Sequence, residues 1–233
     1  MRWVLPGRLW SFLYSLRERA LAPVLIASLR SSIPGERTIS ESRRAKVAMF
    51  ETAWQAHGAV GKFESGYAPP YASIHDRLES ITVKNILEIG VLGGGSHRAW
   101  KDIFPEASVW GFDIDPATVI SEERLETFVG DQLNLSSLTS LRTQLPDKFE
   151  LIVDDGWHQP EAGINSLGAF LPALADGGYY VVEDIDLEKY RKVWLAVSGA
   201  LPPCYLSSLV QLDTPASHSA VGGRYGLFVV TTT

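Results

Sequence analysis

Two acidic doublets carry the clearest chemistry in this sequence. Leu151-Ile152-Val153-Asp154-Asp155-Gly156-Trp157-His158 reads as a buried strand ending in two carboxylates, and Tyr180-Val181-Val182-Glu183-Asp184 repeats the arrangement. Neighbouring strands lie about 4.8 Å apart, so in a parallel sheet both acidic ends would meet on one rim. Carboxylates that close repel and partly hold their protons. A hard divalent cation removes the conflict, and oxygen donors point to Mg²⁺ or Mn²⁺ rather than zinc. The alternative is that each aspartate only caps the turn or helix that follows it. Because successive strand residues point to opposite faces, both members of a doublet reach one ion only where the chain bends. His158 stands among these acids and has the near-neutral titration range that proton transfer needs. His57, His75, His97 and His218 have no such setting and read as ordinary histidines.

A second constellation precedes them. Ile86-Leu87-Glu88-Ile89-Gly90-Val91-Leu92-Gly93-Gly94-Gly95-Ser96 places a glycine-rich turn between a buried strand and a helix, and Trp110-Gly111-Phe112-Asp113 ends the next strand on a carboxylate. In open α/β sheets ligands bind beyond the carboxyl ends of the strands, where glycines let a ligand approach the backbone and a strand-end acid can accept both hydroxyls of a ribose. Leu92 stands where a dinucleotide fingerprint requires glycine, and no lysine makes a phosphate loop. Acids facing the ligand suit a cationic cofactor better than a pyrophosphate.

Holding these groups requires a sheet, and the chain supplies its pattern. Short β-rich runs at 85–89, 108–113, 127–129, 150–154 and 178–183 alternate with helical stretches, the alternation of a parallel sheet covered on both faces. Ser96 is expected to cap one helix and Pro160 to open another. Runs at 204–212 and 225–232 lack an intervening helical pattern and read as an antiparallel pair at the sheet edge. The expectation is a Rossmann-like, doubly wound α/β fold of seven mostly parallel strands with an antiparallel last strand. Two further helices are expected ahead of it: one over 40–57 ended by Gly58, and one after 66–70 with Tyr71, Ile74, Leu78 and Ile81 on one side. Lys62, Tyr67 and Tyr71 fall in this pre-strand segment, as a lid or as ordinary packing.

Composition narrows the function classes. The chain is 45% hydrophobic and 21% charged, which excludes a disordered or collagen-like protein. A net charge of −6 gives no reason to expect a nucleic-acid partner. The lone cysteine, Cys204, allows neither an intramolecular disulfide nor a thiolate metal site, which fits a reducing, cytoplasmic setting. Charge is uneven: Arg2, Arg8, Arg17, Arg19 and Arg30 face only Glu18 in the first thirty residues, beside Trp3, Trp10, Phe12 and Tyr14. Pro6, Gly7 and Arg17-Glu18-Arg19 interrupt any run of the roughly 20 apolar residues that a bilayer span needs. Residues 1–39 are therefore expected to be a basic amphipathic, helical extension. It would either pack on the main domain or another subunit of a homo-oligomer, or lie in an anionic membrane interface on the inner face through residues 1–30. Residues 40–233 form the expected main domain.

Taken together, residues 60–233 resemble the class I S-adenosylmethionine-dependent methyltransferases. The closer resemblance is to the metal-dependent sugar O-methyltransferases of macrolide biosynthesis and their cephalosporin-hydroxylase-like relatives. It is carried by Glu88-Ile89-Gly90, Gly93-Gly94-Gly95-Ser96, Trp100-Lys101 to Phe104-Pro105, Gly130-Asp131-Gln132, Asp154-Asp155-Gly156 with His158, and Gly177-Gly178 leading to Glu183-Asp184. The resemblance implies S-adenosylmethionine and Mg²⁺ (or Mn²⁺) as cofactors. Glu88, Gly90, Gly94, Ser96, Asp113, Asp131, Gln132 and Asp154 would line the cofactor, Asp155, Glu183 and Asp184 would bind the metal, and His158 with Asp155 would be catalytic, His158 as general base. The acceptor would be a small molecule or glycan, methylated on a hydroxyl of a glycosyl group.

Trp157 departs from that family, which has a small polar residue there. An aromatic in this place resembles catechol O-methyltransferase, so methylation of a catechol or phenol is the alternative reaction. A non-catalytic cofactor-binding or membrane-docking module is the reading from another class; the joint presence of Asp155, His158, Glu183 and Asp184 argues against it.

Overall fold

The computed structural model describes residues 40–212 and 225–232. The amino-terminal extension with its expected membrane contact, and residues 213–224 with His218, lie outside the described residues. No described helix is long and apolar enough to cross a membrane.

Eight described strands form one sheet: β1 (Asn85–Ile89), β2 (Ser108–Asp113), β3 (Ser121–Glu122), β4 (Leu125–Val129), β5 (Phe149–Asp154), β6 (Leu174–Asp186), β7 (Tyr205–Gln211) and β8 (Tyr225–Thr232). Their order is β3-β4-β2-β1-β5-β6-β8-β7. From β4 to β6 every pairing is parallel, and β8 inserts antiparallel between β6 and β7. The additional strand is β3, a two-residue antiparallel partner of β4 that is too short and too exposed to leave an apolar rhythm in the sequence. The βα alternation and the antiparallel end are as expected. The parallel order reverses at β1, which pairs with β2 on one side and β5 on the other, and that reversal opens a crevice at the carboxyl ends.

Seven described α-helices cover the sheet: α1 (Glu41–Ala56), α2 (Val60–Glu64), α3 (Ala68–Leu78), α4 (Gly95–Ile103), α5 (Leu135–Arg142), α6 (Pro160–Phe170) and α7 (Leu187–Ala200). On one face Phe50, Trp54, Tyr71 and Trp100, from α1, α3 and α4, pack on Ile86, Val109, Leu151 and Val181. On the other face Leu141, Phe170 and Trp194, from α5, α6 and α7, pack on Leu87, Phe112, Ile152 and Tyr180. Sheet residues adjacent in sequence thus feed opposite cores, which is what a strand period of two dictates. α1 starts at Ser40, whose hydroxyl accepts from Arg43 N at 3.3 Å, and ends before Gly58 at φ +72°.

One cap differs from expectation. α4 begins at Gly95 with Gly94 as its N-cap at φ +71°, not at Ser96. A Cβ at Gly95 would lie 2.6 Å from the His57 carbonyl oxygen, so the helix starts where a glycine lets the end of α1 come against it.

Candidate active site

The glycine turn is held from below by the strand-end acid. Asp113 Oδ2 accepts from Val91 N at 2.8 Å and Leu92 N at 3.2 Å, while Oδ1 accepts from Asp115 N at 3.0 Å. Partial burial pushes the Asp113 carboxyl up, and the amides of Asp115, Val91, Leu92 and Ile114 outweigh that and hold it below its ordinary range. Asp113 is thus an oriented, ionised acceptor at the mouth of the crevice. Gly90, at φ +89°, is required: a Cβ there would sit 2.3 Å from the Asp155 carbonyl oxygen, and Asp155 N donates back to Ile89 O at 2.9 Å. β1 and β5 therefore deliver the glycine turn and the first metal-ligand candidate side by side.

Gln132 lies beneath this rim. Its Nε2 donates to Asp154 Oδ1 at 2.8 Å and to Ser166 Oγ at 2.9 Å, and its Oε1 accepts from Trp157 N at 2.9 Å. One buried amide thus ties the turn after β4 to the 155–158 loop. Gly156 has no room for a side chain, because a Cβ would meet Gln132 Oε1 at 2.1 Å. Asp131 holds its own turn, Oδ1 accepting from Leu133 N at 2.8 Å. Asp154 is buried, its Oδ1 also accepts from Gly156 N at 3.4 Å, and its Oδ2 has no protein partner. Burial pushes the Asp154 carboxyl up to about 6, aided by the charge of Asp155 and opposed by Gln132, Gly156 and His158.

Above the rim Asp155, His158 and Asp184 converge: each offers a ligand atom, and the three atoms lie within 4.8 Å of one another. His158 Nε2 stands 3.8 Å from Asp184 Oδ2. Octahedral Mg²⁺ holds its ligands at about 2.1 Å, which sets adjacent ones about 3.0 Å and opposite ones about 4.2 Å apart, so the three groups would draw together by up to about 1.8 Å around an ion, two of them through the carboxylate oxygens it prefers. The donor set therefore fits a hard divalent cation. His158 at φ +57° and Asp184 at φ +51° both occupy the left-handed region, as does Leu92 at φ +48° in the glycine turn. Three of the four described non-glycine residues in that conformation thus lie at this rim, and such backbone strain, about 1–3 kcal/mol each, persists where surrounding structure enforces it. At Asp184 the strain coincides with a shift in register of β6 against β8 between Val182 and Ile185. The chain does bend at the second doublet.

That bend separates the two acids. Asp184 turns to the outer cluster, where its Oδ1 accepts from Tyr67 OH at 2.5 Å. Glu183 turns inward: it is buried, and it accepts from Lys62 Nζ at Oε2 and from Tyr71 OH at Oε1. Lys62 Nζ also lies 2.9 Å from Asp155 Oδ2 and 3.2 Å from Glu88 Oε1. Burial alone would discharge this ammonium, but Asp155, Glu183 and Glu88 together hold its pKa well above the ordinary range. Glu88 is fully buried, with Trp100 Nε1 donating to its Oε2 at 2.9 Å and His97 Nδ1 at 3.2 Å from the same oxygen. Burial lowers the His97 pKa despite Glu88, so its ring is neutral.

The structure thus brings Asp155, His158 and Asp184 together, places Gly90, Gly94 and Asp131 on turns at the crevice, Ser96 in the first turn of α4 and Asp113 at the end of β2, and sets Glu88, Gln132, Asp154 and Glu183 behind it. Sequence reasoning missed the linking functions of Lys62, Gln132 and His97. From the sequence Gln132 reads only as a cofactor-lining residue and Lys62 only as a cation of the pre-strand segment, here the five-residue α2; His97 reads as an ordinary histidine. Trp157 is exposed, between Asp155 and His158 in the chain.

No family model matches the chain. Demethylmacrocin O-methyltransferase of Streptomyces fradiae is 37% identical over 141 residues, 58% of this chain and 34% of the relative. The 8-demethyl-8-alpha-L-rhamnosyl tetracenomycin-C 2'-O-methyltransferase of Streptomyces olivaceus is 33% identical over 154 residues, 63% of this chain and 37% of the relative. The chain spans about a third of the length of these curated relatives. Among solved structures, the MycE methyltransferase of mycinamycin biosynthesis in complex with Mg and SAH superposes with a TM-score of 0.59 at 22% identity, over 80% of this chain and 54% of that one. The O-methyltransferase TomG of Streptomyces achromogenes, in complex with SAM, gives 0.55 at 17% identity over 90% and 96%. The chain shares the Rossmann-like fold of these methyltransferases, and in sequence it is similar to macrolide and sugar O-methyltransferases.

Proposed function

We propose that this chain, from about residue 40 onward, is a metal-dependent S-adenosylmethionine O-methyltransferase acting on a hydroxyl of a glycoside. The observation that carries the reading is the convergence of Asp155, His158 and Asp184 on the rim where Gly90 and Asp113 form the crevice. A relative named as a rhamnosyl tetracenomycin-C 2'-O-methyltransferase, and a structural neighbour bound to Mg and SAH, support it.

Asp155 and Asp184, with Glu183 from the same strand end, are the proposed metal ligands, which leaves His158 free as the base. Gly90, Gly94 and Ser96 line the proposed cofactor cleft, Asp113 accepts the ribose hydroxyls, Asp131 and Gln132 border the adenine, and Glu88 and Asp154 back the methionine end. Leu92, Ile114 and Leu133, exposed and next in sequence to these groups, offer the apolar surface an adenine ring needs. The sulfonium cofactor supplies the methyl group, and the divalent cation supplies the Lewis acidity that makes an aliphatic hydroxyl acidic enough to react. His158 takes the hydroxyl proton at Nε2, which stands 3.8 Å from Asp184 Oδ2. The loop clamped by Gln132 keeps His158 and Asp155 in fixed relation, so most of the acceleration comes from positioning.

The test is release of S-adenosylhomocysteine from labelled cofactor, with deoxysugar glycosides and catechols as acceptors, each with Mg²⁺ and with EDTA. Turnover of glycosides that EDTA abolishes is expected; turnover confined to catechols would replace the sugar by a phenol. Exposed Trp157 is the observation that keeps the phenol reading in view, since it can stack on an aromatic ring as well as on a sugar face. Contact of residues 1–30 with anionic membrane belongs to the same proposal; deletion of those residues without loss of liposome binding would remove it.

A further inference from the structure

We propose that Lys62 is a resident cation of the acidic pocket, competing with the divalent metal for Asp155 and Glu183 and withdrawing when the metal enters. This rests on the metal-dependent reading above.

Three observations converge. Lys62 is only 6% exposed, and its ammonium sits between Glu183, Asp155 Oδ2 at 2.9 Å and Glu88 Oε1 at 3.2 Å. Both oxygens of Glu183 are already committed, one to Lys62 and one to Tyr71 OH. A metal using Asp155 and Glu183 therefore needs an oxygen that the lysine holds, and two cations on the same oxygens repel strongly in a buried site. The second point is charge. Glu88, Asp155, Glu183 and Asp184 surround the pocket, and within it a single ammonium leaves a surplus of negative charge. That surplus draws in a divalent ion, while the lysine limits the collapse of the carboxylates before the ion arrives.

The third point is mechanical. Lys62 is carried by α2, a five-residue helix bracketed by Gly58 at φ +72° and Gly66 at φ +78°. The segment is pinned at its start, where residues 57–59 pack against Gly95, but a Cβ at Gly61 would meet nothing within 4 Å, so α2 itself has open space beside it. Beyond Gly66 follows Tyr67, whose hydroxyl bonds Asp184, the other metal-ligand candidate. Displacing Lys62 thus loosens the same segment that touches the outer cluster, and metal loading is transmitted to the α1–α3 layer.

The experiment is Mn²⁺ binding followed by electron paramagnetic resonance, with cofactor and acceptor absent, on wild type, Lys62→Met and Lys62→Arg. Lys62→Met is expected to bind Mn²⁺ at least tenfold more tightly, and Lys62→Arg, which keeps the charge, to stay near wild type. Equal or weaker binding by Lys62→Met, with wild type binding normally, overturns the competition and leaves the metal-dependent reading standing. Absence of Mn²⁺ binding by all three overturns both. Because Lys62→Met leaves buried acids uncompensated and can fail to fold, the wild type supplies an independent measurement. Amine acetylation of the Lys62 peptide, read by mass spectrometry, is expected to be faster with Mn²⁺ than with EDTA. Unchanged protection with Mn²⁺ bound sinks the proposal.

Discussion

At the scale of single residues, the site separates a group that moves a proton from groups that hold position. His158→Ala is expected to lower turnover about 10²–10⁴-fold while S-adenosylhomocysteine affinity, measured by calorimetry, stays unchanged; normal turnover would remove His158 as base. Asp154 makes a prediction about stability in the metal-free protein. Its folded pKa of about 6 exceeds the ordinary 3.8 because the carboxyl is buried. Below about pH 4 it is protonated folded or unfolded, and nothing is lost. As pH rises through about 4 the unfolded chain ionises it while the folded site keeps its proton until about 6, so about 3 kcal/mol of stability disappears between pH 4 and 6. Asp154→Asn should flatten that fall in urea denaturation with EDTA present; an unaltered pH dependence would assign it elsewhere. The acids and His158 were legible in the sequence because their residue types cluster at strand ends. Lys62 and Gln132 were named from the sequence, but what they join was not legible, since a single polar residue in a short turn or helix shows no partner until the fold brings its neighbours close.

At the scale of elements, the rim depends on how closely strands and turns approach. Gly90→Ala would place a methyl group 2.3 Å from the Asp155 carbonyl oxygen, at a φ that L-residues avoid. The variant is expected to lose more than about 1 kcal/mol of stability and to bind Mn²⁺ more weakly, because Asp155 shifts with its strand; wild-type metal affinity would show that the β1–β5 approach does not set the ligand. The strands were readable because apolar β-rich runs alternate with helical stretches, and the limits of β1, β2 and β8 match the reading residue for residue. Two features were not readable. β3 has two exposed residues and no apolar rhythm, and the start of α4 is set by a carbonyl of α1, a contact between segments far apart in the chain. The bend at Asp184 was foreseen as a requirement, since both acids of a doublet point to one place only if the strand breaks its alternation; what the bend does in this structure is send them to two neighbouring places.

At the scale of the whole molecule, a metal that binds only the folded chain stabilises it by mass action. Mn²⁺ at a hundredfold its dissociation constant should add about 2.7 kcal/mol, visible as a rise in Tm that Asp155→Asn abolishes; no rise would mean the acidic rim binds no metal. The doubly wound class was legible from alternation alone, whereas the position of the early helices over the site was not, because an amphipathic helix records that it has a buried face and not which part of the sheet receives it. That placement has a consequence in time. Lys62 and its partner Glu183 are 121 residues apart in the chain. At a synthesis rate of about 5–20 residues per second, the early helices leave the ribosome about 6–24 s before the strand that will meet them. The lysine and the two tyrosines must wait in the nascent chain without their acids. The pocket is therefore among the last parts of the protein to be completed, and a chain that stops before β6 carries the aromatic layer but no site.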